Sequence, residues 1–334
     1  MSRTTDLLNR RQALWLMGGL VGSMALHGCN QTTANSSGTA PLKAGISPWP
    51  GYAGHYIATK KGFFKETGVT VQEINFPGAT ELITGFLAQQ ADVGWVTSGD
   101  AIQAAQQDPT MRIIYVVDYS NGADGIIGRG IKTPADLKGK TVARENLLFT
   151  NVLLREYLKK GGLTEADIKI KDLSAADAAA AFAAKQVDVA VAYEPWLTKT
   201  TKESGGEILF TSKDTNLIAD VLATRQNIIA TRKSELQAYI RAIDKGVKLI
   251  NSGDPEAVKI VAAALNVSVD EAKQQLAGVK IFDIEMNKSI GFNSSNAKNI
   301  MKNLELSIDT GKQMKVIGDI KVENLYDDSI VKSL

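Results

Sequence analysis

A pattern that occurs twice in this chain constrains its fold more than any other sequence feature. The spacing F-x-A-x-Q-x-D-V begins at Phe86 and again at Phe182. In both copies a helical segment and a turn precede a short apolar run, which is typical of a strand covered on both sheet faces. The second run ends in the sequence YEPW, and open α/β sheets bind ligands at the carboxyl ends of their strands. The repeat predicts two similar α/β units that share one site, although chance can also match Ala- and Val-rich segments.

Strands and helices alternate along most of the chain. Candidate strands begin near residues 43, 69, 93, 112, 125, 141, 168, 187, 208 and 221. After Ser234 the pattern changes to long helical segments with start signals at Asp254 and Ser268, and residues 292–310 predict a further amphipathic helix. This order is typical of α/β layers with largely parallel sheets.

The charge balance excludes one class of partner. The chain of 334 residues is long enough for two domains, and its net charge is +2. That charge arises in the first 28 residues, where Arg3, Arg10 and Arg11 stand against Asp6 (3 − 1 = +2). Because the remainder is neutral, we expect no nucleic-acid partner.

The first 28 residues are predicted to be a signal peptide. Arg10 and Arg11 precede an apolar run of 14 residues, at 13–26, which is shorter than the ~20 residues that span a bilayer. The sequence LHGC ending at Cys29 resembles the bacterial lipobox, in which the cysteine is lipidated. Since Cys29 is the only cysteine, we expect lipidation there and a flexible tether over residues 29–41. A generic signal peptide with an incidental cysteine is the alternative.

Four short motifs in a fixed order resemble those of the solute-binding proteins of ABC importers, in the nitrate/sulfonate/taurine family. They are YIATKKGFF at 56–64, ADVG at 91–94, LKGKTV at 137–142 and DVAVAYEP at 188–195. The resemblance implies a two-lobed periplasmic-binding-protein fold, with two α/β lobes that close on a ligand like a hinged clamp. By that analogy lobe 1 comprises residues 42–118 plus 224–334, and lobe 2 comprises residues 119–223. The two crossing segments would lie near 118–122 and 220–224.

The resemblance also implies how such a protein works. We expect a monomer without a cofactor, in the periplasm or held by Cys29 at the outer face of the cytoplasmic membrane. It would deliver a small solute to the permease of an ABC importer. An enzyme is the alternative class, because the pyrimidine synthases of thiamine biosynthesis share this fold. Those enzymes carry a cysteine-rich motif that this chain lacks after Cys29, so no catalytic residue is predicted.

Metal binding is not predicted either. His55 is the only histidine after the signal peptide, and metal sites need several ligands at set spacing. We expect His55 to be a packing residue or a polar neighbour of the cleft.

Aromatic and acidic residues gather near the predicted strand ends. All three tryptophans after residue 28 occur there, although each could instead pack in a lobe core. Carboxylates add charge-assisted hydrogen bonds, and aromatic faces add ~0.5–2 kcal/mol of cation–π attraction. The predicted ligand contacts are Trp49, Tyr52, Trp95, Ser98, Asp118, Asp124, Glu145, Glu194, Trp196 and Asp220.

These contacts favour a compact cation. Arg144 is the only basic residue at a predicted strand end, and the adjacent Glu145 can neutralise it. Family members with a Trp-Pro-Gly loop and a Glu-Pro-Trp strand end resemble those linked to guanidine or urea, so a guanidine-like ligand is favoured. A small anion such as nitrate, sulfonate or taurine is the alternative, because helix N-termini that point into such clefts favour anions. A pyrimidine precursor of thiamine is a further alternative.

Overall fold

Two β-sheets with helices packed around them form the part of the chain that the computed structural model describes, residues 40–214 and 218–334. The predicted signal peptide, Cys29 and most of the predicted tether lie outside these residues. Among the described residues, no helix combines the length and the apolar character needed to cross a bilayer.

Strands and helices alternate as the sequence predicts. The strands are β1 Leu42–Ile46, β2 Val71–Asn75, β3 Val93–Thr97, β4 Met111–Ser120, β5 Asp124–Gly128, β6 Thr141–Arg144, β7 Lys169–Asp172, β8 Val189–Tyr193, β9 Glu207–Thr211, β10 Ala219–Arg225 and β11 Val279–Ile281. The helices are α1 Ala53–Lys61, α2 Phe63–Glu66, α3 Ala79–Leu87, α4 Ser98–Gln107, α5 Leu148–Lys160, α6 Ala175–Ala183, α7 Trp196–Ser204, α8 Gln226–Asn251, α9 Pro255–Leu265, α10 Val269–Leu276, α11 Ile284–Met286, α12 Ile300–Gln313 and α13 Ser329–Lys332.

Both sheets are mixed rather than largely parallel. The first has the strand order β11-β4-β10-β3-β1-β2, and the second has the order β7-β6-β8-β5-β9. Within each sheet the βα units pair in parallel, β1 with β2 and β3, and β6 with β7 and β8. The strands next to the two crossings, β5 and β10, pair antiparallel because the chain reverses as it passes between the sheets. The α/β fold class is confirmed, and the expectation of largely parallel pairing is wrong.

The repeated sequence pattern is a repeated structure. The carboxylate of Asp92 accepts a hydrogen bond from the backbone N–H of Lys43 at 2.9 Å. In the second copy, Asp188 accepts from the N–H of Thr141 at 2.8 Å. Each aspartate therefore fastens the start of its own strand to the start of the neighbouring parallel strand.

The turn before each strand is also repeated. Gln89 and Lys185 occupy the same place in the two copies, and both adopt left-handed conformations, with φ of 59° and 60°. Phe86 and Phe182 are buried beneath their sheets. The two units thus reach their strand ends through the same local geometry.

Two predicted boundaries differ from the structure. Residues 220–224, predicted as a crossing, belong to β10, so the return crossing lies between Thr211 and Ala219. The helix predicted over 292–310 begins at Ile300, because the side chain of Asn299 caps the N–H of Lys302 at 2.9 Å. The division into lobes at residues 118 and 224 stays a prediction.

A close contact between α1 and α8 fixes the helix that follows the first strand end. A Cβ atom added to Gly246 of α8 would lie 2.3 Å from the carbonyl oxygen of Gly54 in α1. No real side chain tolerates that distance, so the two helices can pack this closely only where both residues lack one. The contact holds α1 and the loop before it against the first sheet.

Substitution of Gly246 by Ala should therefore destabilise the protein although alanine favours helices. We expect the free energy of unfolding to fall by about 1–3 kcal/mol, the usual cost of overpacking, in urea unfolding curves. Gly318→Ala is the control, because its added Cβ would meet only the flexible side chain of Gln106. Equal stability of the Gly246→Ala variant and the wild type would contradict this packing.

Candidate functional site

A small cavity lies where strand ends of the two sheets meet. It has a volume of about 20 Å³, room for about one water molecule. The first sheet contributes the loop after β1 and the ends of β3 and β10, and the second contributes β5 and the end of β8. The lining residues are Ser47, Pro48, Trp49, Tyr52, Ala79, Thr97, Asp124, Phe149, Tyr193, Ile218 and Asp220.

The loop after β1 holds two buried acids through two hydrogen bonds. The indole N–H of Trp49 donates to Oδ2 of Asp118 at 2.9 Å. The hydroxyl of Tyr52 donates to Oδ1 of Asp220, also at 2.9 Å. Between them, a Cβ on Gly51 would lie 1.8 Å from Oδ2 of Asp118, so only glycine fits there. The Trp-Pro-Gly-Tyr sequence is thus a clamp for two carboxyl groups.

Three buried acid oxygens, one on the cavity wall and two behind it, have no hydrogen-bond donor among the described residues. Asp124 lines the cavity and is 2% exposed, and its Oδ2 has no partner among the described residues. Oδ1 of Asp118 and Oδ1 of Asp100 likewise lack a donor there. Buried polar atoms without partners are rare in folded proteins, so these oxygens mark a place where a ligand is expected.

Burial raises the pKa values of these acids, so they keep their protons to a higher pH than an exposed aspartate does. Loss of solvation raises the pKa of Asp118 to about 8 and the pKa values of Asp100 and Asp124 to about 7. Burial, followed by the negative charge of Asp118, raises the pKa of Asp220 well above its ordinary value. Like charges that share a buried site oppose each other's ionisation.

Basic side chains do not pair with the carboxyl groups on the cavity wall. No Lys, Arg or His is among the described residues that line the cavity. Arg144 points elsewhere, since its guanidinium pairs with Asp172 at 3.0 Å and donates to Asn146 at 2.7 Å. Arg144, the one basic residue at a predicted strand end, is therefore not placed to bind an anion in this cavity.

Glu145 is not a lining residue, and its carboxylate instead connects the start of α3 to the end of β8. Its carboxylate accepts from the backbone N–H of Thr80 at 3.1 Å, at the start of α3, and from the Thr80 hydroxyl. The hydroxyl of Tyr193 donates to the other oxygen at 3.1 Å. An internal carboxylate thus fills the helix N-terminus at which an anionic ligand would be stabilised.

Glu194 and Trp196 are also not among the lining residues. The Glu194 carboxylate accepts from the N–H of Thr198 at 3.1 Å and from its hydroxyl, so it serves the first turn of α7. Trp196 packs edge-on against Tyr193, with ring centroids 5.1 Å apart. The prediction of Glu194 as a ligand contact conflicts with this placement, because its oxygens are turned toward the helix.

Trp95 and Ser98 do not line the cavity but contact residues and helices next to it. The indole N–H of Trp95 donates to the hydroxyl of Tyr239 at 2.8 Å, and its ring lies 5.0 Å from that of Tyr52. Ser98 donates to the side-chain oxygen of Asn303 at 2.7 Å. Both residues hold lining residues or helices in place and do not reach the cavity.

His55 has two structural partners. Its ring nitrogens bond to Tyr239 at 2.9 Å and to Glu73 at 2.8 Å. The hydrogen bond to His55 lowers the pKa of Glu73 to about 2. In the described part of the chain, no group of three or more His, Cys, Asp or Glu side chains is placed to hold a metal ion.

Sequence reasoning missed the aromatic wall of the second sheet. Tyr193 lies at the end of β8, with its ring 6.3 Å from Trp49 and 5.8 Å from Phe149. Tyr193 directly precedes Glu194 in the strand-end motif, so its position was a usable signal. Phe149 and Ile218 carry no local pattern that distinguishes them from core residues.

Comparison with known proteins places the chain in one family. The family described as NMT1/THI5 like matches residues 49–261. A protein of Brucella abortus named only as a binding protein is 24% identical over 233 residues, 68% of this chain and 72% of its own length. The taurine-binding periplasmic protein of Escherichia coli is 24% identical over 188 residues, 54% of this chain and 58% of its own.

Solved structures with the same fold include binding proteins and an enzyme. The alkanesulfonate-binding protein of Xanthomonas axonopodis pv. citri, bound to MOPS, has a TM-score of 0.69 at 18% identity and covers 84% of this chain and 96% of its own. The nitrate-binding protein of Synechocystis PCC 6803 has a TM-score of 0.69 at 14% identity and covers 88% and 87%. The desulfurization enzyme DszB has a TM-score of 0.63 at 14% identity and covers 88% and 98%.

The raised pKa values predict an unusual pH dependence of stability. Between about pH 4, the ordinary aspartate value, and the raised pKa of Asp118 at about 8, the folded protein binds protons that the unfolded chain has lost. The free energy of unfolding should therefore fall as pH rises through this window. Urea unfolding of the ligand-free protein at several pH values measures it, and Asp118→Asn should flatten the slope. Stability that is constant or rises with pH would contradict the raised pKa values.

Proposed function

Because the chain belongs to the NMT1/THI5 like family, we propose that it is the solute-binding component of an ABC importer. The ligand occupies the cavity between the two sheets, where Asp124 and Tyr193 of one sheet face Trp49 and Asp220 of the other. Binding-protein relatives and a cavity built from both layers support this role. A ligand held from both sides favours closure of the lobes, as in a hinged clamp.

Binding rather than catalysis is the role that we assign to the cavity. The relatives are named as binding proteins, whereas the desulfurization enzyme shows that the fold can also carry chemistry. The periplasmic relative supports an extracytoplasmic location. Lipidation at Cys29 stays a prediction from sequence.

The charge of the cavity favours a compact cation as the ligand. The carrying observation is the Oδ2 atom of Asp124, which is buried on the cavity wall without a donor. An ionised carboxylate is costly to bury unless a counter-charge and hydrogen bonds accompany it. A planar or tetrahedral cation with several N–H groups would supply both to Asp124 and Asp220. The rings of Trp49, Phe149 and Tyr193 add aromatic faces that attract a cation.

The size of the cavity limits the ligand. Its volume of about 20 Å³ leaves room for about one water molecule, so a ligand requires the lining residues to move apart. Guanidinium and methylammonium are compact cations that require little movement, and they are suitable probes of this class.

A small anion is the second candidate, and the relatives favour it. The ligands named for the comparison proteins are taurine, alkanesulfonate and nitrate. These names support the anion alternative better than the guanidine-like ligand that the sequence suggested. Against it, Glu145 already fills the N-terminus of α3, and every charged side chain on the cavity wall is an acid. The sequence identities with these proteins are below 25%, so their similarity supports a shared fold, and a binding experiment identifies the ligand.

Calorimetric titrations with guanidinium, methylammonium, urea, nitrate, methanesulfonate and taurine test the two classes. We expect a cation to bind and the Asp124→Asn variant to lose about tenfold to hundredfold in affinity. That loss corresponds to the ~1.5–3 kcal/mol of a hydrogen bond to a charged group. Asp270→Asn, which removes a carboxylate that is 96% exposed, is the matched control and should bind like the wild type.

The opposite pattern would reverse the assignment. Tight binding of nitrate, methanesulfonate or taurine that Asp124→Asn leaves intact or strengthens would establish the anion alternative. Failure of all six probes to bind would contradict a small-solute site of either charge in this cavity.

A further inference from the structure

A groove of about 610 Å³ runs beside α5 and shares no lining residue with the cavity between the two sheets. Its walls are formed by the end of β6, by α5, and by the segments that follow α5 and α12. Three of the lining residues are basic, Arg144, Arg155 and Lys159, and one is acidic, Glu165. The groove therefore carries an excess of positive charge, in contrast to the acidic cavity.

Helix α5 places two of these cations in one row. Asn151, Arg155 and Lys159 follow each other at intervals of four residues, so their side chains lie on the same face of the helix, one turn apart. The side chains of Arg155 and Lys159 form no hydrogen bond or ion pair within the part of the chain that the structure describes. Like charges at this spacing repel each other, and an anion between them would remove the repulsion.

Two buried residues form the inner end of the groove, Arg144 and Asn151, which are 7% and 3% exposed. Nη1 of Arg144 donates to Oδ1 of Asn146 at 2.7 Å, and Nδ2 of Asn151 donates to the same oxygen at 3.2 Å. These bonds fix the orientation of both amide groups. They leave Nε of Arg144 as a donor and Oδ1 of Asn151 as an acceptor, each without a partner among the described residues.

The guanidinium of Arg144 keeps one whole side for a ligand. Its described partners are the carboxylate of Asp172 at 3.0 Å, the amide of Asn146 and the carbonyl of Glu145, and all three contact Nη1. The Asp172 side chain is 56% exposed, so solvent weakens that ion pair. Nε and Nη2, the two parallel donors with which a guanidinium binds an oxyanion, therefore remain for a ligand.

We propose that this groove binds inorganic phosphate, held by Nε and Nη2 of Arg144 and attracted by Arg155 and Lys159. A planar guanidinium matches two phosphate oxygens bidentately. Oδ1 of Asn151 accepts only, so it requires a ligand that donates a hydrogen. Inorganic phosphate keeps an O–H group at neutral pH, whereas sulfate, which has the same shape, has none.

The proposed phosphate site does not depend on the solute of the cavity. Solvent does not reach Nε of Arg144 or Oδ1 of Asn151, so we expect the lining side chains to adjust when the ion enters. A phosphate bound there would give both atoms the partner that buried polar atoms normally have.

Isothermal titration calorimetry with sodium phosphate at pH 7 tests the site. Arg155→Gln and Lys159→Gln should each weaken phosphate binding about tenfold, as expected for the loss of a hydrogen bond between charged groups. Lys160→Gln is the matched control, because Lys160 shares the last turn of α5 but lies over the ring of Phe210 instead of lining the groove. It should bind phosphate like the wild type.

Three results would overturn the phosphate site. They are no phosphate binding to the wild type, binding that Arg155→Gln and Lys159→Gln leave intact, and an equal loss in these two variants and in Lys160→Gln. The last result would show a general effect of net charge.

Sodium sulfate at the same ionic strength tests the role of Asn151. The wild type should bind phosphate about tenfold more tightly than sulfate, because sulfate leaves Oδ1 of Asn151 without a donor. Asn151→Leu removes this acceptor, so it should lower the phosphate affinity to that of sulfate and leave sulfate binding unchanged. If Asn151→Leu does not fold, the ratio in the wild type still decides, since equal affinities for the two ions would contradict the proposal.

Guanidinium titrations separate this site from the proposed solute cavity. The Arg155→Gln variant should bind guanidinium like the wild type, because the groove and the cavity share no lining residue. Absence of guanidinium binding in the wild type, with phosphate binding intact, would overturn the cation assignment of the cavity and support the independence of the groove. A loss of guanidinium binding in Arg155→Gln alone would contradict that independence.

Discussion

The structure depends on a set of carboxyl groups that are buried without a cationic partner. Asp118, Asp124 and Asp220 are buried at the junction of the two sheets. The donors to the carboxyls of Asp118 and Asp220 are neutral groups, the indole of Trp49 and the hydroxyl of Tyr52. The Trp-Pro-Gly-Tyr loop donates hydrogen bonds to two of these acids, Asp118 and Asp220. Gly51 is required in this loop because the Asp118 carboxylate leaves no room for a side chain. A protein keeps such a costly arrangement where it serves a function, because buried charges are otherwise paired or replaced by apolar residues.

The repeated unit explains how the acids come to one place. Asp92 and Asp188 fasten equivalent strands in the two sheets, and each unit delivers its strand end toward the same cavity. The strands β4 and β10, which adjoin the two crossings, then pass beside that point and carry Asp118 and Asp220. Glu145 links the start of α3 to the end of β8 through Thr80 and Tyr193, so its carboxylate occupies the N-terminus of α3.

Sequence predicted the order of the elements and the acidic character of the site, because hydrophobic periodicity and strand-end positions are local properties. It did not predict which side chains reach the cavity. Tyr193 and Glu194 are neighbours at one strand end, yet Tyr193 lines the cavity while Glu194 serves α7. Successive side chains in a strand point to opposite faces of the sheet. The direction of Glu194, which follows the strand, is set by the turn into α7. Asp118 likewise reads as part of a crossing, and only the pairing of β4 with β10 places it opposite Asp220.

We expect the buried acids at the junction of the two sheets to stay protonated at neutral pH until a bound cation ionises one of them. Carbon-13 NMR of the labelled aspartate carboxyl groups measures this directly, with the signals of Asp118, Asp124 and Asp220 assigned through single Asn substitutions. In the ligand-free protein, Asp124 and Asp118 should titrate near pH 7 and 8, in line with their raised pKa values of about 7 and about 8. With guanidinium bound, the signal of Asp124, whose Oδ2 lacks a donor on the cavity wall, should shift to the ionised form at neutral pH. Titration of all three near pH 4, the ordinary value for aspartate, would contradict the account.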